Sequence, residues 1–393
     1  MNDSTDLSFV FAMPGRIVFG SGAIAEAPCE IERMGARRVL LVSDRGVAAA
    51  GLTERVARVL SGHVAATFVD VPPDSGVEAV EAARDAAVAA GADGVVSCGG
   101  GSVIDTAKGV SLLLAEGGVL RDHEGFQNMT RAAAPHLAIP TTAGTGSEVT
   151  YVAVIKDREA RRKLLFGDHR LIPTVSILDP DLTTGLPPFL TAATGMDALS
   201  HAVEAMHALQ RQPISDALAL HAIRMLKEAI PRCIETPSDG PARGRQLLAS
   251  CLAGAAFSNA QVGLSHAMAH TVGARFDLHH GLANAIFLPH VIRFNAPACG
   301  DVYREVAEAF GLGTTGSDAS VAKRLASAVQ DFSRGLGLAG ALKSLGVPQE
   351  ALPELAEATL SDAALVYNGR PVEDTSEILP VWEAAWIGST NSE

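Results

Sequence analysis

In the first half of the chain, apolar residues fall into short, nearly unbroken runs separated by stretches of helical spacing. The runs RVLLVSD at 38–44, VAATFVDV at 64–71 and GVVSC at 94–98 are strand-length and rich in branched residues. From Val77 to Ala92, Ala and Val recur at helical intervals, and Gly91 supplies the stop. Three further runs stand at 136–140 (HLAIP), 152–157 (VAVIKD) and 174–179 (TVSILD). Strands apolar on both faces, with helices between them, predict a mostly parallel, Rossmann-like sheet covered on both sides.

The pattern changes at the Pro/Gly/Thr cluster spanning 179–188. Beyond it the sequence is rich in Ala and Leu with helical periodicity up to Trp386 and offers few strand candidates. The expected organisation is an α/β domain at 1–188 followed by an all-α domain at 189–393, with a frayed tail from Ile387 and no internal repeat. A length of 393 residues suits two to three domains, and 48% apolar residues suffice for a large core.

Charge narrows the partners. The formal net charge of −13 argues against nucleic acid and against an anionic membrane surface, while leaving room for a small anion held by backbone amides. The five cysteines are scattered and form no CxxC pair, which predicts a reduced, cytoplasmic protein. The start MNDSTDLSF is acidic where a secretion signal is basic, and no apolar run approaches the ~18 residues of a membrane span.

Two glycine-containing segments follow strands. In the first, Gly99, Gly100, Gly101 and Ser102 open a helix. Consecutive glycines let a backbone approach a ligand, Ser102 is a candidate N-cap with Asp105 three residues on, and the helix N-terminus favours an anion such as a pyrophosphate. In the second, Thr141, Thr142, Thr145 and their glycines suit ribose and phosphate contacts. Both would converge at the carboxyl ends of the strands, where open α/β sheets bind ligands. Either segment alone also reads as a plain turn. Asp44 ends the first strong strand, where an acid commonly bonds the adenosine ribose; this favours NAD over NADP, although Arg45 beside it could accommodate a phosphate.

Five of the 12 histidines fall between His266 and His290. Asp197 and His201 are spaced i, i+4, as are His266 and His270, so each pair shares one helical face. His279 and His280 follow on a turn, with His279 expected to point away. One carboxylate and three imidazoles from two helices and a loop would bind a divalent transition metal, Fe(II) or Zn(II) in preference to Mg or Ca. His207, six residues past His201, reads as structural.

Taken together, these residues resemble the iron-containing (group III, metal-dependent) alcohol dehydrogenase family. The likeness runs through PGRIVFGSG at 14–22, GGGSVIDTAKG at 99–109, PTTAGTGSEVT at 140–150, LDPDLT at 178–183, GMDALSHAVEA at 195–205 and GLSHAMAHTVGARFDLHHGLANAIFLPHV at 263–291. It implies an α/β domain and an all-α domain with the active site between them. It also implies a metal held by Asp197, His201, His266 and His280, with Fe(II) ahead of Zn(II). His270 would stand beside metal and nicotinamide as a proton relay or cofactor contact. Cofactor contacts would be Asp44, Gly99, Gly100, Gly101, Ser102, Thr141, Thr142, Thr145, Lys163 and Leu182. The expected reaction is reversible hydride transfer between a small alcohol and NAD(P), in a homodimer.

Two departures stand out. Val71-Pro72-Pro73-Asp74-Ser75 puts Pro73 where the family often has a cofactor-binding Asn, and Asn368-Gly369-Arg370 replaces Asn-Pro-Arg. The alternatives are a hydroxyacid–oxoacid transhydrogenase, a dehydroquinate-synthase-like lyase that uses NAD transiently, a metal hydrolase and a non-catalytic nucleotide binder. Tyr151, Val152, Phe257 and Leu264 are expected to line the substrate pocket.

Overall fold

The computed structural model describes residues 8–160 and 162–388. The tail from 389 onward and the acidic start at 1–7 lie outside the described residues.

Among the described residues the α/β half carries nine strands: β1 (Arg16–Phe19), β2 (Val39–Val42), β3 (Val64–Phe68), β4 (Gly94–Gly99), β5 (Gly125–Phe126), β6 (His136–Pro140), β7 (Val152–Asp157), β8 (Arg162–Gly167) and β9 (Val175–Leu178). Its helices are α1 (Ala27–Arg33), α2 (Arg45–Ala49), α3 (Leu52–Val59), α4 (Val77–Ala90) and α5 (Gly101–Glu116). Six strands form one parallel sheet in the order β1-β9-β6-β4-β2-β3. The run VLLV of β2 shows why the strands read as unbroken apolar segments. Leu40 and Val42 enter the core on one face, with α4 and α5 residues, while Val39 and Leu41 enter the core on the other. A parallel strand buried on both faces has no polar position to alternate with.

The segment at 152–157 departs from the expectation. It lies outside the parallel sheet and pairs antiparallel with β8, which in turn pairs with β5. Its burial alternates residue by residue, the pattern of a strand with one open face. Neither β8 nor β1 was foreseen: β8 opens on Arg162-Lys163, and β1 is four half-exposed residues at the sheet edge.

From Pro188 onward the described structure is helical: α6 (Pro188–His207), α7 (Pro213–Glu235), α8 (Gly240–Ala260), α9 (Leu264–Phe276), α10 (His280–Ala309), α11 (Asp318–Gly335), α12 (Leu352–Leu360) and α13 (Thr375–Ile387). Among the described residues no single helix is long and apolar enough to cross a membrane.

The halves meet at a glycine contact. A Cβ on Gly254 of α8 would lie 2.8 Å from the Gly146 backbone and 2.9 Å from Val149. Gly146 itself has φ +62°, which favours glycine. Backbone on both sides leaves nothing flexible to give way. Gly254→Ala is therefore expected to destabilise the protein by about 1–3 kcal/mol, read as a lower denaturant midpoint at unchanged m-value.

Candidate active site

The glycine turn, the β7–β8 hairpin and the helices α6, α8, α9 and α10 enclose a cleft of about 550 Å³. Asp197 and His201 project one turn apart from α6. The α9 helix brings His266, and His280 begins α10. The start of α10 presses on α6: a Cβ on Gly281 would fall 2.2 Å from the Ala193 carbonyl oxygen and 3.1 Å from the Asp197 Cβ. That contact requires glycine next to His280 and sets His280 against Asp197.

Ligand atoms of Asp197, His201 and His266 all lie within 4.8 Å of one another, and all three residues are buried. His280 flanks this group, its Nε2 3.6 Å from Asp197 Oδ1. The Asn284 amide donates to both, at 3.0 Å to Asp197 Oδ1 and 3.2 Å to His280 Nε2. His201 is sandwiched between Phe257 and His266, with ring centroids 4.1 and 4.5 Å away. His266 Nε2 and His201 Nδ1 are buried without a hydrogen-bond partner. Burial pushes His201 down to about 4 and His280 well below its ordinary value, so both keep a lone pair at neutral pH. For His266 burial acts the same way, but the Glu204 carboxylate and its hydrogen bond outweigh it and raise the imidazole. Two imidazoles held neutral, His201 and His280, and the orphaned nitrogens of His201 and His266 near one carboxylate fit a divalent cation of borderline softness.

His270 stands beside this group, not in it. Its ring stacks on His280 at 5.3 Å, and Nδ1 donates to Asp362 Oδ2 at 3.0 Å. Asp362 is opposed by burial but more than compensated by His270, which holds the carboxyl below its usual range. Asp362, Asn284 and Glu204 were not singled out in the sequence. Asn284 lies one turn after His280, a signal available in the pattern; Asp362 is 92 residues from its partner and gave none.

The other wall gathers the two glycine-containing segments. A Cβ on Gly100 would meet Thr142 at 3.3 Å, and one on Gly101 would meet Thr145 at 2.7 Å. The glycines thus admit threonine side chains as well as a guest. Gly100, Gly101, Ser102, Thr142, Thr145 and Lys163 line the cleft. Gly99, Thr141, Leu182 and Asp44 do not: Thr141 donates its N–H to the Gly99 carbonyl at 3.0 Å, and Leu182 is in the core. Asp44 caps α2 through the Val47 N–H at 2.9 Å, and Arg45 pairs with Asp70 at 2.8 Å. Ser102 is not the N-cap of α5; Gly100 is. Asp105 does not close a capping box but accepts from Ser147 Oγ and the Val154 N–H at 2.5 and 3.0 Å. Behind the turn, Lys108 is fully buried and donates to Ser147, Thr150 and Val152 at 2.8–2.9 Å. Burial pushes Lys108 down to about 8 and the nearby Glu148 up to about 7.

Of the expected substrate contacts, Val152 and Phe257 line the cleft. Leu264 is in the helical core, and Tyr151 lies behind Gln261, whose Nε2 donates to its hydroxyl at 2.5 Å. His279 turns its ring edge-on to Phe189, and His207 is buried against Tyr303. Pro73 is at the cleft wall. Asn368 is structural, accepting from the Leu264 N–H at 3.2 Å.

Residues 14–180 match the family profile described as iron-containing alcohol dehydrogenase, and residues 191–386 match its C-terminal counterpart. The chain is 36% identical over 374 residues to the NAD-dependent methanol dehydrogenase of Bacillus methanolicus, covering 94% of this chain and 98% of that one. It is likewise 36% identical to the lactaldehyde reductase of Escherichia coli (strain K12), covering 94% and 97%. A crystal structure of 1,3-propanediol oxidoreductase superposes with a TM-score of 0.94 at 35% identity, over 97% of this chain and 100% of that one.

The geometry separates ligands from neighbours. His266→Ala is expected to abolish bound metal, whereas His270→Ala retains it; elemental analysis of each purified variant decides.

Proposed function

The chain belongs to the iron-containing alcohol dehydrogenase family, and from that premise we propose how its cleft works as a metal-dependent, NAD-linked alcohol dehydrogenase. One observation carries the reading: the buried carboxylate–imidazole group and the glycine turn of α5 open onto the same cleft.

Asp197, His201 and His266, with His280 beside them, would hold the metal. The N-terminus of α5, with Thr142 and Thr145, would hold the cofactor diphosphate, because unpaired first-turn amides favour an anion. A divalent ion held there would supply a Lewis acid toward the alcohol oxygen, and a bound nicotinamide would supply the hydride acceptor. His270 is placed to accept the alcohol proton at Nε2, since Nδ1–H is committed to Asp362. Phe257, Val262 and Val152 supply apolar wall that keeps water from the reacting carbon.

For the ion we propose Fe(II), with Zn(II) as the alternative, because the ligand set suits either and the family's description names iron. For the cofactor we propose NAD over NADP, since Asp44 follows the end of β2, where an acid commonly bonds the adenosine ribose. The substrate we propose is a small primary alcohol or its aldehyde, in keeping with relatives named for methanol, lactaldehyde and 1,3-propanediol. Five free cysteines accord with a cytoplasmic protein. A homodimer paired through β1 is the proposed assembly, since β1 is an edge strand that ends on exposed Phe19 and is preceded by exposed Phe9, Val10 and Met13.

Two outcomes are expected. Metal-loaded protein gives net NADH from a panel of primary alcohols, followed by absorbance; His270→Ala lowers kcat by about 100-fold or more with NAD binding intact. Absence of net NADH would favour the lyase or the transhydrogenase. Sedimentation gives twice the chain mass, and Phe19→Asp shifts it toward the monomer.

A further inference from the structure

Glu204 is fully buried at the end of α6, two turns from Asp197 and opposite the start of α9. Its Oε1 accepts the Ser265 N–H at 2.7 Å, and its Oε2 accepts the His266 N–H at 3.3 Å. The same Oε2 accepts Nδ1–H of the His266 ring. His207 Nε2 lies 3.9 Å from Oε1. The α9 helix has no capping side chain of its own, since Gly263 occupies its N-cap. One carboxylate from another helix therefore satisfies two first-turn amides and a ring nitrogen together.

The consequence falls on the other ring nitrogen. In the neutral ring, the form that can bind a metal, Nδ1–H bonds Glu204 and the lone pair of His266 falls on Nε2. That atom is buried, has no hydrogen-bond partner and lies 3.9 Å from Asp197 Oδ1. A carboxylate behind a metal-binding imidazole fixes its tautomer, orients its ring and makes it a stronger donor. It also adds a second buried negative charge, so that Asp197 and Glu204 together balance a divalent ion.

We propose that Glu204 is a positioning residue of the metal centre, whose charge sets the affinity of the site for a divalent ion through His266. The inference rests on reading Asp197, His201 and His266 as ligands. Glu204→Gln is nearly isosteric and keeps a hydrogen-bond acceptor while removing the charge. Glu204→Asp keeps the charge at shorter reach. Asn368→Ala serves as a comparison, because it removes the other side-chain acceptor at the start of α9 and touches no ligand.

The measurement is the Kd for Zn(II), by competition with a chromophoric chelator on the full chain, beside the Tm of each metal-free protein. Glu204→Gln is expected to weaken binding by about 10–100-fold, with Glu204→Asp between it and the wild type. Asn368→Ala is expected to lower Tm with a Kd within about threefold of wild type. Wild-type protein that binds no Zn(II) would sink the ligand reading itself. Tight binding by wild type with Glu204→Gln within twofold of it would overturn the role of Glu204 alone. So would Glu204→Asp binding no tighter than Glu204→Gln, or equal weakening in Asn368→Ala, which would reduce Glu204 to a helix cap.

Discussion

Burying a charge in a helical core is costly unless something of opposite sign lies beside it. The helical half of this protein buries two carboxylates, Asp197 and Glu204, within the reach of one imidazole. Around them are His201 and His280, both held neutral by burial. Neutral imidazoles cannot offset negative charge, but they can donate lone pairs. The combination is tolerable when a cation completes it, and the helix packing follows from that need. Gly281 lets α10 come against α6, and Glu204 draws the start of α9 onto the end of α6.

The same economy of space governs the junction of the two halves. Gly146 and Gly254 meet backbone to backbone, and a Cβ on Gly144 would lie 2.5 Å from Thr194, one turn before Asp197 and two before His201 on α6. The hydroxyl-rich loop is therefore pinned between the glycine turn of α5 and the helices α6 and α8. Lys108, wholly buried, ties the base of that loop to α5 through Ser147 and Thr150. The proposed cofactor cradle on one wall and the candidate metal site on the other are thereby tied to one framework, as hydride transfer between two bound reactants would require.

Much of this was legible in the chain, and the parts that were not share a cause. The parallel strands announced themselves because burial on both faces leaves unbroken apolar runs, as in β2 and β4. The i, i+4 pairs on α6 and α9 were legible because one helix turn is a local fact. The residues that orient them were not: Glu204 meets a partner 62 positions away and Asp362 one 92 positions away, and nothing local marks either acid as buried. The strand at 152–157 was placed in the wrong sheet because an apolar run shows strand propensity but not pairing. Ser102 looked like a cap from residue type alone, yet the cap falls two residues earlier, at Gly100.

The division of labour among the histidines follows from their second nitrogens. His266 and His270 sit one turn apart on α9, and each gives Nδ1–H to a carboxylate: His266 to Glu204, His270 to Asp362. What differs is where Nε2 is left. That of His266 is buried at the base of the cleft, 3.9 Å from Asp197 Oδ1 and without a hydrogen-bond partner. His270 lies on the cleft wall, stacked on His280 and open to whatever binds there. Two identical side chains, each bonded to a distant carboxylate, are thus left in different surroundings by burial, and the proposed roles of ligand and proton carrier follow that difference.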